Sequence, residues 1–223
     1  MKKLLSIILI LAMSFTLIAC SSDEEEIRGE QISNTESEVA EDKFSLGATD
    51  NLTYKNTFIG IGCSLPEGWS FYTDEQIHEL NNYTAEVAGD DYVEAMKSAD
   101  LVYDMFAIGD DQLNNINVNL EKINKSDLEQ LDLEMNFENT IPQLQEAFGE
   151  MGYQNLKFEI STVLVGEEEV MCLQSYGVID GLEMFQKIIS IKCDGYLANI
   201  TVTTYQEDLV DSLYEEFYFI KNI

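Results

Sequence analysis

Apolar and polar residues alternate in several stretches after residue 51, and this alternation predicts β-strands. The clearest stretch is 113–123, where Ile116, Val118 and Leu120 are predicted to face inward and the asparagines between them to face outward. The same pattern predicts further strands at 58–65, 102–108, 156–165, 168–178, 182–193 and 196–205. Short turns rich in Gly and Asp separate neighbouring strands at 109–111, 166–167, 180–181 and 194–195, and they favour antiparallel hairpins.

Helical patterns occupy the rest of this region. The capping-box spacing of Thr73 and Gln76 predicts a helix over 74–81, and a second short helix is predicted over 91–99. Ser126 is predicted to cap a helical stretch that runs to about residue 151, with a kink or break at Pro142. Its apolar stripes are Leu128, Leu131 and Met135, then Ile141, Leu144, Phe148 and Met151.

The end of the chain completes the predicted fold. A closing helix is expected over 207–220, with a buried stripe formed by Leu209, Leu213, Phe217 and Ile220. Together the elements predict a single α+β domain over 51–223, in which helices pack on an antiparallel sheet of six or seven strands.

The order of these elements resembles a known fold. An opening strand is followed by Leu65-Pro66-Glu67-Gly68-Trp69, then by a hairpin, a long helix, and a closing meander with a helix. This arrangement is similar to the PsbP-like α/β/α sandwich, found in a photosystem II extrinsic subunit, a Ran-GTPase release factor and many bacterial lipoproteins. The resemblance implies a protein that binds or assists other proteins, and it supplies no site residues.

The N-terminus has the organisation of an export signal. Lys2 and Lys3 precede the mostly apolar segment Leu4–Ala19. As a helix this segment would reach about 24 Å, which is shorter than a hydrocarbon core of ~30 Å. Residues 1–19 are therefore expected to be a signal peptide rather than a membrane span.

The end of this signal resembles the lipobox of bacterial lipoproteins. Leu17-Ile18-Ala19-Cys20 places a small residue directly before a cysteine. The resemblance implies that Cys20 receives a diacylglyceryl group and becomes the N-terminus after cleavage. The protein would then be lipid-anchored on the extracytoplasmic face of the cell membrane. The alternative is an ordinary secretory signal in which the cysteine occurs by chance.

Charge supports a covalent anchor and argues against nucleic acid. The chain has 42 acidic and 12 basic residues, for a net charge of −30. Without residues 1–19, which include two lysines, 42 acidic and 10 basic residues remain, and the net charge is −32. An anionic leaflet repels such a chain, whereas acyl chains can hold it. Phosphate backbones attract Lys and Arg, so no nucleic-acid partner is expected.

Residues 20–50 are predicted to be a disordered tether behind the lipidated cysteine. The stretch 21–50 contains ten acidic and two basic residues and no aromatic before Phe44. It has too little apolar surface to offset the entropy of ordering the chain. The alternative is that the acidic run 23–26 recruits a basic partner.

Three cysteines remain after Cys20. The Asp180-Gly181 turn places Cys172 opposite Ile189, so Cys193 lies about 13 Å from Cys172 at the rise of a strand. That separation exceeds disulfide reach, and these two cysteines are predicted to be unbonded. Cys63 lies on the apolar side of an alternation and is expected in the core.

No pattern of catalytic or metal-binding residues is visible in the chain. His78 is the only histidine, and on its polar helix it is expected to be solvated. The acidic clusters lie at turns and on polar helix faces, so diffuse divalent-cation binding remains an alternative, but no calcium loop, cofactor site or metal site is expected.

These observations favour a binding or accessory module for an envelope protein or an exported ligand, and not an enzyme. The alternatives are an envelope-associated hydrolase without a recognisable motif and a purely structural surface lipoprotein. Trp69 and Tyr72 are the aromatic residues to test at an interface, although Trp69 is expected to cover the edge of the core.

Overall fold

The computed structural model describes residues 44–82 and 90–220, which form two antiparallel sheets and five helices. The larger sheet contains β4 (Trp69–Phe71), β5 (Leu101–Gly109), β6 (Asn115–Lys122), β7 (Gln154–Val165), β8 (Glu168–Ile179), β9 (Leu182–Cys193) and β10 (Tyr196–Tyr205). Their order across the sheet is β4-β5-β6-β10-β9-β8-β7. The α+β architecture with a sheet of six or seven strands is confirmed.

The smaller sheet joins the start of the described chain to its end. Its strands are β1 (Ala48–Asp50), β2 (Thr53–Asn56), β3 (Ile61–Ser64) and β11 (Phe217–Phe219), in the order β1-β2-β3-β11. The helices are α1 (Asp74–Leu80), α2 (Asp90–Ser98), α3 (Lys125–Gln130), α4 (Leu133–Glu150) and α5 (Val210–Tyr214). Among the described helices, none is long and apolar enough to cross a bilayer.

Both faces of the larger sheet are covered. On one face the main core joins it to the smaller sheet, α2 and α5, through buried residues such as Tyr54, Met96 and Tyr214. On the other face, α4 packs over β8 and β9, while α1 packs over β5. The sheet is therefore the central layer, and its β4–β5 edge lies between α1 and the smaller sheet.

Local sequence signals account for the hairpins. Asp180 and Gly181 have φ angles of 51° and 82°, as the predicted two-residue turn requires. This turn sets the register in which Cys172 pairs with Ile189, as predicted. Cys63, Cys172 and Cys193 are all free thiols, and Cys63 is buried in the core.

The predicted helix over 126–151 is wrong in its details. The chain breaks near Leu131, and Asp132 caps α4 by accepting a hydrogen bond from the main-chain nitrogen of Met135. Pro142 lies inside α4 on its exposed side, where the carbonyl that loses its partner can turn to water. The helix continues through Pro142 without the predicted break, and the Thr140 hydroxyl donates to the Asn136 carbonyl within it.

Two more residues, Ser126 and Met135, differ from the helix predictions. Asn124, and not Ser126, is the N-cap residue of α3. Met135 was predicted to lie on an apolar stripe but is 59% exposed, whereas Leu144 and Phe148 are fully buried as predicted.

The predicted closing helix over 207–220 is also wrong. Only α5 is helical, and Phe217–Phe219 form β11, with Phe217 opposite Cys63 of β3. The run Phe-Tyr-Phe has high strand propensity, and pairing with β3 supplies main-chain hydrogen bonds that a solvent-facing helix end would lack.

The described fold begins before the predicted boundary at residue 51. Residues 48–50 pair with Thr53–Lys55, and the Phe44 ring packs against Phe58 and Tyr196 at centroid distances of 5.4 and 4.9 Å. Phe44–Asp50, assigned to the end of the tether, therefore belong to the domain. The predicted signal peptide, Cys20 and the rest of the predicted tether lie outside the described residues.

The reactivity of the three cysteine thiols tests the predicted pairing of β8 with β9. Burial raises the pKa of Cys63 to about 12, that of Cys172 to about 11 and that of Cys193 to about 12. We expect slow alkylation of the native protein at neutral pH, with the half-buried Cys193 modified first and the other two only on unfolding. Peptide mapping by mass spectrometry measures the order, and a disulfide that links Cys172 to Cys193 would contradict the structure.

Candidate functional site

The strand β5 has an edge that β4 covers only in part. β4 pairs with Ala107–Gly109, so the preceding part of β5 has β6 on one side and no strand on the other. The side-chain amide of Asn81 takes the place of a strand there. Its Oδ1 accepts from the Tyr103 main-chain nitrogen at 2.7 Å, and its Nδ2 donates to the Tyr103 carbonyl at 2.8 Å. The main-chain N–H and C=O of Tyr103 are thereby hydrogen-bonded, and no strand fills the space beside this edge.

Asp104 lies at a β-bulge on this open part of β5. The pairing with β6 shifts between Tyr103 and Met105, so Asp104 is the extra residue of the bulge. Bulges redirect side chains, and here the carboxylate reaches the smaller sheet.

Three groups of the N-terminal segment donate hydrogen bonds to this carboxylate. The Gly47 main-chain nitrogen donates to Oδ1 at 2.7 Å, Asn56 Nδ2 donates to Oδ2 at 2.7 Å, and the Tyr54 hydroxyl also donates to Oδ2. Burial raises the pKa of Asp104, and these three hydrogen bonds oppose that effect. We call this arrangement the Asp104 clamp, because it attaches residues 47–56 to β5.

A cavity of about 490 Å³ lies beside the clamp. Its walls come from residues 46–49, from α1 and α2, and from residues 103–106 of β5, together with Tyr72. We call it the edge cavity. It is large enough for a small organic molecule.

Several aromatic residues contribute to the walls of the edge cavity. Tyr72 packs against Phe106 with ring centroids 4.5 Å apart, and His78 packs against Tyr92 at 3.8 Å. Tyr103 also lines the cavity. Burial raises the pKa of Tyr103 to about 12 and raises the pKa of Tyr72, so both phenols stay neutral at physiological pH.

The prediction that His78 is solvated is wrong. The side chain is 9% exposed, because α1 packs its ring against Tyr92 of α2. Its Nδ1 is buried and has no hydrogen-bond partner among the described residues. His78 therefore contributes to the wall of the edge cavity, while its Nδ1 is enclosed by the protein.

The described lining contains two carboxylates, Asp74 and Asp104, together with Thr49 and His78, and no Ser, Cys, Lys or Arg. Within residues 44–82 and 90–220, no group of three His, Cys, Asp or Glu side chains is arranged to hold a metal ion. The two aromatic residues predicted as interface candidates lie in different places. Tyr72 lines the edge cavity, whereas Trp69 packs against the main core.

Sequence reasoning missed Asp104 as a functional residue. One signal was available: Asp104 is an acid within the apolar run Leu101–Ile108. Alternation alone could not show which donors surround it, because Gly47, Tyr54 and Asn56 reach it only through tertiary packing.

A polar strip occupies the centre of the sheet face between α1 and α4. It pairs Asn115, Asn117 and Asn119 of β6 with Thr203, Thr201 and Asn199 of β10. The three β6 asparagines face away from the main core, as predicted, but they are only 6–7% exposed. Hydrogen bonds connect the strip across strands, with Ser190 donating to Asn199 at 2.6 Å and Asn199 donating to Asn119 at 3.3 Å.

Glu121 follows the polar strip on β6. Its Oε2 is buried and accepts no hydrogen bond from the described residues. Lys192, which lies nearby across β10, donates to the Leu131 carbonyl. Because the Glu121 carboxyl is partly buried, its pKa is raised to about 7.

Comparisons with known proteins establish no family for the chain. No protein-family model and no curated protein matches it. A solved structure from Bacteroides thetaiotaomicron VPI-5482 is 10% identical with a TM-score of 0.39, over 73% of this chain and 46% of the other. This chain thus spans about half the length of that protein. LpqN of Mycobacterium tuberculosis, described as involved in cell envelope biogenesis, is 13% identical with a TM-score of 0.36, over 72% and 83% of the two chains.

The contribution of Glu121 to the stability of the fold should depend on pH. Its folded pKa of about 7 exceeds the ordinary value of 4.5, so the folded state binds the proton more tightly than the unfolded state. The resulting stabilisation is complete below about pH 4.5 and is lost as the pH rises through about 7. With a discount for partial exposure, Glu121→Gln should raise the free energy of unfolding at pH 8 by about 1–2 kcal/mol.

Urea denaturation of the full chain at pH 5 and pH 8 measures this effect. The gain should shrink at pH 5, where the native carboxyl is already protonated. Glu138→Gln, on the exposed side of α4, is the matched control and should change stability little at either pH. Equal gains for Glu121→Gln at the two pH values would contradict the assignment.

Proposed function

We propose that this chain is a lipid-anchored, extracytoplasmic binding module of the cell envelope, and that the edge cavity receives its ligand. The lipobox-like segment that ends at Cys20 supports the anchor. The observation that carries the binding role is the cavity itself, because it encloses about 490 Å³ between α1, α2, β5 and residues 46–49. Concave sites of about 300–1,000 Å³ are typical of small-molecule binding.

The fold gives the cavity a defined shape. Asn81 and the Asp104 clamp fix two of its walls through hydrogen bonds to main-chain atoms of Tyr103 and Gly47. A preformed site loses little conformational entropy when a ligand binds, which favours affinity. The chain would therefore capture an exported or envelope-derived molecule at the membrane surface, held there by the lipid on Cys20.

In-cell photo-crosslinking tests this proposal. A photoreactive amino acid is placed at position 49, which is exposed and lines the edge cavity, in the full-length lipoprotein. The control carries the same group at position 135, where Met135 is 59% exposed on α4. We expect a discrete low-mass adduct from position 49 alone, detected by mass spectrometry of the purified protein.

The other outcomes separate the alternatives. A single stoichiometric protein adduct at position 49 would instead indicate an accessory subunit of an envelope protein. Equal, heterogeneous adducts from both positions would contradict a ligand site at the cavity. In parallel, cells fed labelled palmitate should incorporate the label into the wild-type chain and not into a Cys20→Ala form, and equal labelling of the two would contradict a lipid anchor at Cys20.

A further inference from the structure

The strand β7 is the open edge of the larger sheet. Its 12 residues pair with β8 on one side, and no described strand pairs with the other side. Natural sheets usually protect such edges with short strands, proline or several charged residues. β7 is as long as β8 and β9, contains no proline, and carries only Lys157 and Glu159 as charged residues. The irregularity in its pairing with β8 lies before Lys157, so the rest of the edge is regular and available to another strand.

Every second residue of β7 directs its main-chain N–H and C=O groups to the open side. Val165 pairs with Glu168 across the two-residue turn at 166–167, so these two residues exchange main-chain hydrogen bonds. Because such pairs alternate with non-hydrogen-bonded pairs along an antiparallel ladder, the main-chain groups of Phe158 and Ile160 point away from β8. These groups are the donors and acceptors that an added strand uses.

The side chains of β7 divide into an apolar row and a charged row. Leu156, Phe158 and Ile160 are half-buried on the face that α4 covers, where they pack against its core residues. A second apolar row beside them would remove their remaining surface from water. Lys157 and Glu159 are exposed on the opposite face. The strand is therefore neutral, whereas the whole chain carries a net charge of −30.

The two charges favour a second copy of this chain in one register. A two-fold axis brings the β7 edges of two copies together in antiparallel orientation. When the axis passes through Phe158, Lys157 of each copy lies opposite Glu159 of the other, and Leu156 lies opposite Ile160. The registers centred on Lys157 or on Glu159 place like charges opposite each other. Facing opposite charges stabilise a strand pair and facing like charges destabilise it, so the register centred on Phe158 is favoured.

We propose that β7 is a homodimer interface, at which two copies pair their β7 edges around Phe158 and join their larger sheets into one. Each copy has a large negative charge, and contact through a neutral strand avoids bringing acidic surfaces together. The proposal goes beyond the ligand-binding role and does not depend on it. The edge cavity lies at the β4–β5 edge, on the opposite side of the larger sheet, so the dimer would leave it accessible.

Sedimentation equilibrium of the full chain tests the proposal. The detergent is density-matched and in excess over protein, so that two copies do not share a micelle by chance. We expect a monomer–dimer equilibrium with a Kd of about 10 μM, which corresponds to a modest free energy of association. A chain that stays monomeric at about 100 μM would overturn the proposal.

Charge reversal at the edge tests the register. Lys157→Glu and Glu159→Lys each place like charges opposite each other in both symmetry-related pairs, and each should weaken dimerisation about tenfold. An equimolar mixture of the two variants should regain wild-type association, because every facing pair in the mixed dimer is again opposite in sign. Lys55→Glu on β2 and Glu75→Lys on α1 make the same charge changes at exposed positions away from β7 and should have little effect.

The remaining results would overturn the proposal. Dimerisation of both single variants at wild-type strength would place the contact on another surface. Failure of the mixture to associate would show that facing charges do not cause the loss in the single variants. Circular dichroism of each variant should match the wild type, since the side chains of Lys157 and Glu159 are exposed. None of these results bears on the ligand-binding role, which crosslinking at position 49 tests separately.

Discussion

The carboxylate of Asp104 is the contact on which the arrangement of the N-terminal segment depends. It is buried, and it accepts hydrogen bonds from Gly47, Tyr54 and Asn56. A buried carboxylate is costly without such donors, and the donors are costly to leave unpaired, so the group and its partners stabilise each other. Gly47 is suited to this contact, since a Cβ there would overlap the Tyr54 ring. The clamp thereby holds the smaller sheet against β5.

The edge cavity follows from this constraint and from the shortness of β4. A full-length β4 would cover the edge of β5, but the strand has only three residues. Asn81 satisfies the uncovered main chain of Tyr103, while the clamp holds residues 46–49 at a distance from α1 and α2. The space that remains is lined with aromatic rings and carboxylates, and no described lining residue carries a basic group other than His78. Shape and charge therefore arise from the same few contacts, which is why the binding proposal rests on this site.

Sequence analysis predicted the elements whose causes are local. Alternation predicted β5 to β10 of the larger sheet but not the three-residue β4. The Asp180-Gly181 turn predicted the register of Cys172, because a two-residue turn fixes which residues face each other. The errors lie where distant residues decide the outcome. Phe217–Phe219 form a strand because β3 is available to pair with them, and His78 is buried because Tyr92 of α2 packs on it. The edge cavity was invisible for the same reason, although Tyr72, one of its residues, had been singled out as an aromatic to test.

Hydrogen–deuterium exchange on the full chain, followed by mass spectrometry, tests the clamp most directly. Asp104→Asn is compared with the wild type and with the exposed control Asp180→Asn. The account predicts that exchange accelerates in peptides covering residues 46–56, since their main-chain hydrogen bonds open more often once the carboxylate is gone. Exchange in β8 and β9 should stay unchanged. If protection at 46–56 were unaffected, or were lost uniformly across both sheets, Asp104 would not be the contact that holds this segment and shapes the cavity.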